Sequence, residues 1–260
     1  RLVELADQLQ REHPKLLVHI RKVDLADLGQ LQAFLERLDR EKLEVDLLIN
    51  NAGLGDSGPF AKSDPDRNKE MTVVNVVTLT LITRHLLPQM IAKHRGAILN
   101  VSSSAGFLPI PGSAVYAATK AYVTSFSEAL RAELHGTGIS VCALCPGPVV
   151  TEFQQVAKRE GVQPDIGPNF LVVTVEQVVR DAVDASRPIN ANGRFAMGGT
   201  DVTEETRRSV ATNCACADGV AKLQIRSRGL HLSREGTTRC AAVLKYGHYV
   251  LLWRRGGLPH

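Results

Sequence analysis

The sequence predicts an α/β fold, in which helices cover both faces of a parallel sheet. Three observations lead to this prediction. Helix-like and strand-like segments alternate over roughly the first 200 residues, the strand-like runs are short and apolar, and 44% of the 260 residues are hydrophobic. A chain of this length and composition supplies one large buried core, so a single main domain is expected.

The predicted elements follow one another in β-α-β order. The chain opens on a helix that ends near His13 and Pro14, because proline stops a helix. Strands are then predicted at 16–23, 45–49, 97–101 and 139–144, with a short last one at 194–197, and helices at 31–38, 66–93, 113–134 and 175–185. Alternation of this kind is typical of a parallel sheet.

The pattern changes beyond about Thr200. Residues 200–260 lack sustained periodicity, and only two short strand-like runs remain, at Ala241–Leu244 and His248–Trp253. We therefore divide the chain into a domain at 1–199 and an atypical tail at 200–260, either disordered or partly strand. The loss of pattern favours a disordered extension or a reading-frame artefact over an appended module.

Charge and apolar content exclude several function classes. The net charge is +4, and 31 basic residues are interleaved with 27 acidic ones, which does not favour nucleic-acid binding. No apolar stretch reaches the roughly 20 residues of a membrane span, and the start lacks the apolar core of a signal peptide. The sequence thus predicts a cytoplasmic protein with neither a nucleic-acid nor a membrane partner.

The five cysteines indicate a reducing compartment, because their number is odd and their spacing does not suggest a disulfide framework. Cys142 and Cys145 form a C-x-x-C in or just after a predicted strand, where side chains three apart point to opposite faces. We interpret them as buried thiols. Cys214 and Cys216 are too close together for a usual zinc knuckle, so no metal site is predicted.

The strongest functional signal is the pair Tyr116 and Lys120. Four residues apart on a helix, their side chains lie on one face and can act on one ligand. Alone, the pair is as typical of an exposed amphipathic helix. Ser103 strengthens the signal, because it follows the predicted strand at 97–101 and so lies at the carboxyl edge of the sheet, where ligands bind in such folds.

Three motifs together resemble the short-chain dehydrogenase/reductase family. They are Asn50-Asn-Ala-Gly53, the spacing of Ser103, Tyr116 and Lys120, and Pro146-Gly-Pro-Val-Val-Thr151. The resemblance runs from Arg1 to about Ala185. It implies a Rossmann-like, doubly wound parallel sheet and an oxidoreductase that transfers a hydride between NADP(H) or NAD(H) and a carbonyl or alcohol substrate.

The resemblance also implies a catalytic tetrad. Tyr116 would be the acid/base, and Ser103 would bind the substrate oxygen. Lys120 would hold the ribose hydroxyls and lower the pKa of the tyrosine, since a nearby ammonium stabilises a phenolate. Asn75 would hold a water in the proton relay. For Asn75 the alternative is a simple hydrogen bond from its helix to a loop.

Further residues would contact the cofactor. Asp24 and Leu25 would meet the adenine ring, although Asp24 could instead cap a helix starting at Leu25. The backbone of residues Asn51, Ala52 and Gly53 would approach the dinucleotide. The nicotinamide would be lined by Pro146, Gly147, Val149 and Thr151. Resemblance to broad-range reductases favours NADP(H) over NAD(H).

The sequence departs from the family in one respect. No G-x-x-x-G-x-G turn, which would place a pyrophosphate at a helix N-terminus, occurs in the chain. We therefore expect an N-terminally truncated fold that lacks its first two strands, with a gap between the strands at 16–23 and 45–49. Either the tail strands fill part of the gap, or the leading strand is unpaired, or the chain is a fragment of a longer product.

Two functions from different classes follow. The first is a reductase acting on a moderately apolar ketone, aldehyde or 3-oxoacyl substrate, with a lid at 153–170. The second is a catalytically silent remnant that acts, if at all, by binding partners. The family resemblance also implies a homodimer or homotetramer formed through the helices at 70–92 and 113–134.

Overall fold

The computed structural model describes residues 2–14, 16–149, 152–157, 173–185, 196–197, 200–201, 239–243 and 249–255. Its helices are α1 (Leu2–Glu12), α2 (Leu28–Arg40), α3 (Pro65–Thr72), α4 (Leu79–Ala92), α5 (Ala114–Glu133), α6 (Glu152–Ala157) and α7 (Val175–Ala185). Its strands are β1 (Leu16–Lys22), β2 (Leu47–Asn50), β3 (Gly96–Val101), β4 (Ile139–Leu144), β5 (Ala196–Met197), β6 (Thr200–Asp201), β7 (Arg239–Val243) and β8 (Tyr249–Arg255). The predicted α/β alternation is confirmed, with most boundaries displaced by a few residues.

The main sheet has six strands in the order β1-β8-β7-β2-β3-β4. Strands β7 and β8 therefore lie between β1 and β2, at the position where the sequence predicts a gap. Of the three alternatives for that gap, the structure shows the first: the tail strands fill it. The expectation of an unpaired leading strand is wrong, because β1 pairs with β8 over its whole length, from Leu16 opposite Arg255 to Lys22 opposite Tyr249.

Strand direction differs from the predicted parallel arrangement at β8 of the main sheet, and at β5, which pairs antiparallel with β6 in a separate two-stranded sheet. The pairs β7-β2, β2-β3 and β3-β4 are parallel, but β8 runs antiparallel to both β1 and β7. The reason is the connection: only residues 244–248 separate β7 from β8, and a parallel neighbour needs a crossover of about a dozen residues or more. The hairpin thus fills two sheet positions without a helix between them.

Two apolar layers cover the sheet. On one face, side chains of α2, α4 and α5 pack around Leu48, Ile98 and Val141 of the central strands. On the other face, Val178 and Ala182 of α7 pack with the alternate strand residues. Every residue of β2 is buried, as expected of a strand covered on both sides.

One long helix crosses the first face, from Pro65 to Ala92. The expectation that no apolar stretch is long enough for a membrane span is wrong for this helix, which has the required length and apolar content. Of its most apolar window 44% is buried inside the protein, and Met71, Ile82 and Leu86 lie in the first core layer. Its middle, Val73–Thr78, forms a π-helical turn. Such turns frequently occur at functional sites.

Candidate functional site

Ser103 and the predicted residues at 51–53 and 146–149 follow β3, β2 and β4, at one edge of the sheet. Backbone pairing places Asn50 opposite Asn100, and Val101 opposite Leu144, so the segments that follow the three strands leave the sheet side by side. Helix α5 passes under this edge. Ligands bind at this edge in doubly wound folds.

Lys120 lies at the centre of the cluster. Its side chain is only 5% exposed, and its Nζ donates a hydrogen bond of 2.8 Å to the carbonyl oxygen of Val101. The same Nζ is 5.8 Å from the ring centroid of Tyr116. A Cβ atom at Gly53 would lie 3.4 Å from it. The turn after β2 therefore comes within van der Waals reach of the ammonium group.

The turn after β3 is fastened to helix α5. Ser102 Oγ donates to the carbonyl oxygen of Lys120 at 2.8 Å. Ser103, 1% exposed, begins the short 3₁₀ helix Ser104–Phe107 and accepts a hydrogen bond of 3.2 Å from the Ala105 amide. A Cβ at Gly106 would lie 2.8 Å from the Lys120 backbone, so only glycine permits this close packing.

Asn75 is held in the π-helical turn and is 1% exposed. Its side chain binds both backbone groups of Leu54: the Leu54 amide donates to Oδ1 at 2.8 Å, and Nδ2 donates to the Leu54 carbonyl at 2.9 Å. Nδ2 also donates to Thr119 Oγ1 at 3.0 Å. Asn75 therefore makes the hydrogen bonds from helix to loop that the sequence allowed as the alternative role for this residue. That Asn75 holds a water stays a prediction.

Replacing Asn75 with alanine should destabilise the protein by about 2–5 kcal/mol, because it leaves two buried backbone groups of Leu54 without their partner. Urea denaturation would measure the loss of unfolding free energy. Asn68→Ala, on the same long helix, is the matched control, since Asn68 bonds the hydroxyl of the half-buried Ser63, and its loss should cost less than about 1 kcal/mol. If the two variants lost equal amounts of unfolding free energy, the proposed role of Asn75 in holding Leu54 would be contradicted.

Tyr116 is half-buried near the start of α5. Its ring lies 5.8 Å from that of Phe153 on α6, at an interplanar angle of 53°. A pocket opens beside it, walled by side chains of mixed polarity: Asp56, Phe60, Asn68, Met71 and Ser113. One wall is fixed by the Gly58 amide, which donates to the Gly112 carbonyl at 2.7 Å. Both glycines have positive φ.

The two predicted adenine contacts follow β1. Asp24 accepts a hydrogen bond of 3.0 Å from the Ala26 amide. The idea that Asp24 caps a helix starting at Leu25 is wrong: α2 starts at Leu28, and Asp27 caps it by accepting from the Gly29 and Gln30 amides. Hydrogen bonds from the backbone and side-chain amides of Gln30, and to a smaller extent from the Gly29 amide, lower the pKa of the Asp27 carboxyl. Leu25 is fully buried, and its carbonyl accepts from Thr78 at 2.7 Å.

The other predicted cofactor residues lie at the same edge. Asn51, Ala52 and Gly53 follow β2, and Ala52 packs against the first core layer. After β4, the Pro146 carbonyl accepts from the amide and hydroxyl of Ser104, both at 3.2 Å. Gly147 is half-buried and Val149 is buried in the second layer. Thr151, and all of the predicted lid beyond Ala157 up to residue 170, lie outside the described residues.

Cys142 and Cys145 are buried free thiols, as predicted. Burial raises the pKa of the Cys145 thiol to about 12, so it stays protonated at neutral pH. A protonated thiol is neither a nucleophile nor a metal ligand. Within the described part of the chain, no cluster of three potential metal ligands occurs.

Sequence reasoning missed several residues that build the site. Thr119 joins Asn75 to helix α5, and its hydroxyl donates to the Tyr116 carbonyl at 2.8 Å. Ser102 and Thr124 bond one another at 2.7 Å behind Lys120. A usable signal was present, because these are polar residues on a face that is otherwise buried. Phe153 carried no such signal, since its contact with Tyr116 depends on the tertiary fold.

Comparison with known proteins identifies the family. The short chain dehydrogenase family profile matches residues 1–161. The chain is 35% identical over 182 residues to NADP-dependent 3-hydroxy acid dehydrogenase YdfG of Escherichia coli (strain K12), covering 68% of this chain and 71% of that protein. It is 42% identical over 159 residues to sulfoacetaldehyde reductase of Chromohalobacter salexigens, covering 60% and 61%.

Two solved structures of dehydrogenases are also similar to this chain. A short-chain dehydrogenase from Sphingobium yanoikuyae in complex with NADPH is 27% identical, with a TM-score of 0.65 and 82% of each chain covered. The bulky-bulky ketone specific alcohol dehydrogenase from Comamonas testosteroni is 26% identical, with a TM-score of 0.63 over 82% of this chain and 80% of that one. The chain therefore belongs to the short-chain dehydrogenase/reductase family of NAD(P)-dependent oxidoreductases.

Proposed function

We propose that the chain transfers a hydride between NADP(H) or NAD(H) and a carbonyl or alcohol substrate, and that Asn75, Ser103, Tyr116 and Lys120 perform this chemistry. The observation that carries the proposal is the position of Lys120. Its buried ammonium is fixed by the Val101 carbonyl and lies 5.8 Å from the Tyr116 ring, facing the turn at Gly53.

Each of these side chains has a separate task. When bound, the reduced nicotinamide supplies the hydride that converts a carbonyl carbon to an alcohol. Tyr116 donates the proton to the resulting oxygen, and Ser103 binds that oxygen by hydrogen bonding. Lys120 favours the ionised form of the neighbouring phenol, because a positive charge stabilises a phenolate. Asn75 fixes the turn after β2 through Leu54.

The residues at this edge suit a nicotinamide and its ribose. Gly53 leaves open the space that a Cβ would occupy, 3.4 Å from Lys120 Nζ and 3.5 Å from Asn75 Oδ1. We propose that Lys120 and Tyr116 hold the ribose hydroxyls and that Pro146, Gly147, Val149 and Thr151 line the nicotinamide. Asn51, Ala52 and Gly53 supply backbone contacts, and Asp24 with Leu25 meet the adenine.

We propose NADP(H) as the preferred cofactor. Two similar proteins support this preference: the dehydrogenase YdfG is named as NADP-dependent, and the Sphingobium yanoikuyae structure holds NADPH. A moderately apolar ketone, aldehyde or 3-oxoacyl compound is the proposed substrate. The domain boundary near residue 199, the cytoplasmic location and the lack of nucleic-acid and membrane partners stay predictions.

We also propose a homodimer or homotetramer formed through α4 and α5. The outer faces of these helices carry exposed apolar side chains, including Leu81 at 42% and Tyr122 at 39% exposure. Tyr122 stacks on Phe126 with ring centroids 5.8 Å apart, and its hydroxyl bonds Thr80 at 3.0 Å. The two helices thus present a joined surface of the kind that a second copy would cover.

Fluorescence titration of the full chain with NADPH and NADH, followed by a ketone-reduction assay, tests the proposal. Saturable binding is expected for both cofactors, with the lower dissociation constant for NADPH, and ketone reduction should follow. No binding at about 1 mM cofactor, equivalent to a standard binding free energy weaker than about −4 kcal/mol, would contradict the proposal if the sample is folded. That result would favour the silent remnant.

A further inference from the structure

Phe153 is neither a member of the proposed tetrad nor a proposed cofactor contact, yet its ring contacts Tyr116, the proposed proton donor. Its ring centroid is 5.8 Å from that of Tyr116, and the rings are tilted by 53°. Tilted aromatic pairs at this distance attract each other. Phe153 is half-buried, so it is not wholly enclosed by the protein.

Helix α6 is held above Tyr116 by the turn after β2. The amide and hydroxyl of Ser57 both donate to the Ala157 carbonyl, at 3.1 and 3.3 Å. On its other side the turn is fixed by Arg67, whose Nη2 donates to the Gly55 carbonyl at 3.3 Å. Both ends of α6 are therefore fixed: Phe153 packs against Tyr116, and Ala157 is hydrogen-bonded to Ser57.

The ring of Phe153 occupies the space left by the missing side chain of Gly55. A Cβ at Gly55 would lie 2.7 Å from two ring carbons, Cε1 and Cζ, and 3.1 Å from the Ala157 Cβ. Any larger residue at position 55 must displace the ring. Gly55 and Phe153 thus form one packing unit beside Tyr116.

A substrate whose carbonyl oxygen bonds Tyr116 must place one carbonyl substituent near this ring. Aromatic side chains line most small-molecule pockets, and a flat apolar ring favours an apolar substituent. We propose that Phe153 is a specificity-determining residue that selects carbonyl substrates with an aryl or bulky alkyl substituent, and that Gly55 is the residue that positions it. This inference rests on the proposed function.

The test compares acetophenone with acetone as substrates, with NADPH as the cofactor. Phe153→Ala and Gly55→Ala should each lower the ratio of kcat/KM for acetophenone to kcat/KM for acetone by about 10- to 100-fold, the range expected for a lost apolar contact in a pocket. Phe153→Leu should restore part of that ratio. Val156→Ala is the matched control on α6, because Val156 is 49% exposed. It should leave the ratio unchanged.

A second readout is independent of turnover. Ligand-observed NMR gives the dissociation constant of acetophenone with and without NADPH, and fluorescence titration gives that of NADPH. Phe153→Ala should weaken acetophenone binding about tenfold or more and change NADPH binding by less than about twofold. Circular dichroism melting would verify that each variant is folded.

The outcomes separate the two proposals. A wild-type chain that binds no NADPH contradicts the proposed function, while the acetophenone constants still decide the role of Phe153. An unchanged ratio or unchanged acetophenone constant in Phe153→Ala would overturn the inference, as would undetectable acetophenone binding by the wild-type chain. So would a shift in Val156→Ala as large as that in Phe153→Ala.

Discussion

Tyr116→Phe is expected to lower kcat for ketone reduction by about 10²- to 10⁴-fold, the usual contribution of a positioned general acid. The ring and its contact with Phe153 remain, so only the hydroxyl is lost. NADPH affinity should fall less than about tenfold, because one hydrogen bond contributes about 0.5–1.5 kcal/mol. Steady-state kinetics and fluorescence titration measure the two quantities.

Tyr122→Phe is the matched control for this experiment. Tyr122 lies on the same helix, and its hydroxyl bonds Thr80 on the exposed side of α5. Its loss should change kcat by less than about twofold, because the ring stacked on Phe126 is kept and the lost hydroxyl bonds Thr80, which is outside the tetrad. If Tyr116→Phe kept more than about a tenth of the wild-type kcat, another group would have to donate the proton, and the proposed role of Tyr116 would be wrong.

Leu251→Pro is expected to destabilise the fold by about 2–4 kcal/mol. Residue 251 is opposite Ile20 of β1 on one side and Ala242 of β7 on the other. Proline has no backbone N–H to donate to a sheet ladder and is therefore excluded from central strands. The carbonyl oxygen that accepts from the amide of residue 251 would lose its partner. The melting temperature should fall by about 4–16 °C.

Leu251→Val separates the backbone effect from the effect of the side chain. Valine keeps the amide donor and suits a strand, so its melting temperature should stay within about 4 °C of the wild type. Circular dichroism melting of the three proteins makes the comparison. Identical curves for the proline and valine variants would show that β8 is not a central strand in solution.

The arrangement of Tyr116 and Lys120 could be predicted from sequence because it is local. Four residues on a helix fix a shared face whatever the rest of the chain does. The position of Ser103 could also be predicted from sequence, since a residue that follows a strand of a parallel sheet lies at the ligand-binding edge. The α/β architecture followed for the same reason, from periodicities within single elements.

The features that sequence reasoning could not fix depend on contacts between distant segments. The short connection at 244–248 is a local sign that β8 runs antiparallel to β7, but the pairing of β8 with β1 depends on segments far apart in the chain. The contact between Phe153 and Gly55 likewise appears only when α6 is packed on the turn after β2. From the sequence, only Asp24 was considered as a helix cap, whereas α2 starts at Leu28, not Leu25, and is capped by Asp27.

The hairpin also sets the order in which the sheet can be completed. Strand β1 is synthesised before β2, β3 and β4, but its partner β8 is synthesised after all of them, with Leu16 opposite Arg255. Contacts so far apart in sequence are slow to form, because a long loop must close first. On the ribosome β2, β3 and β4 can pair while β1 and the edge of β2 that later pairs with β7 are still open, and a chaperone would need to shield both.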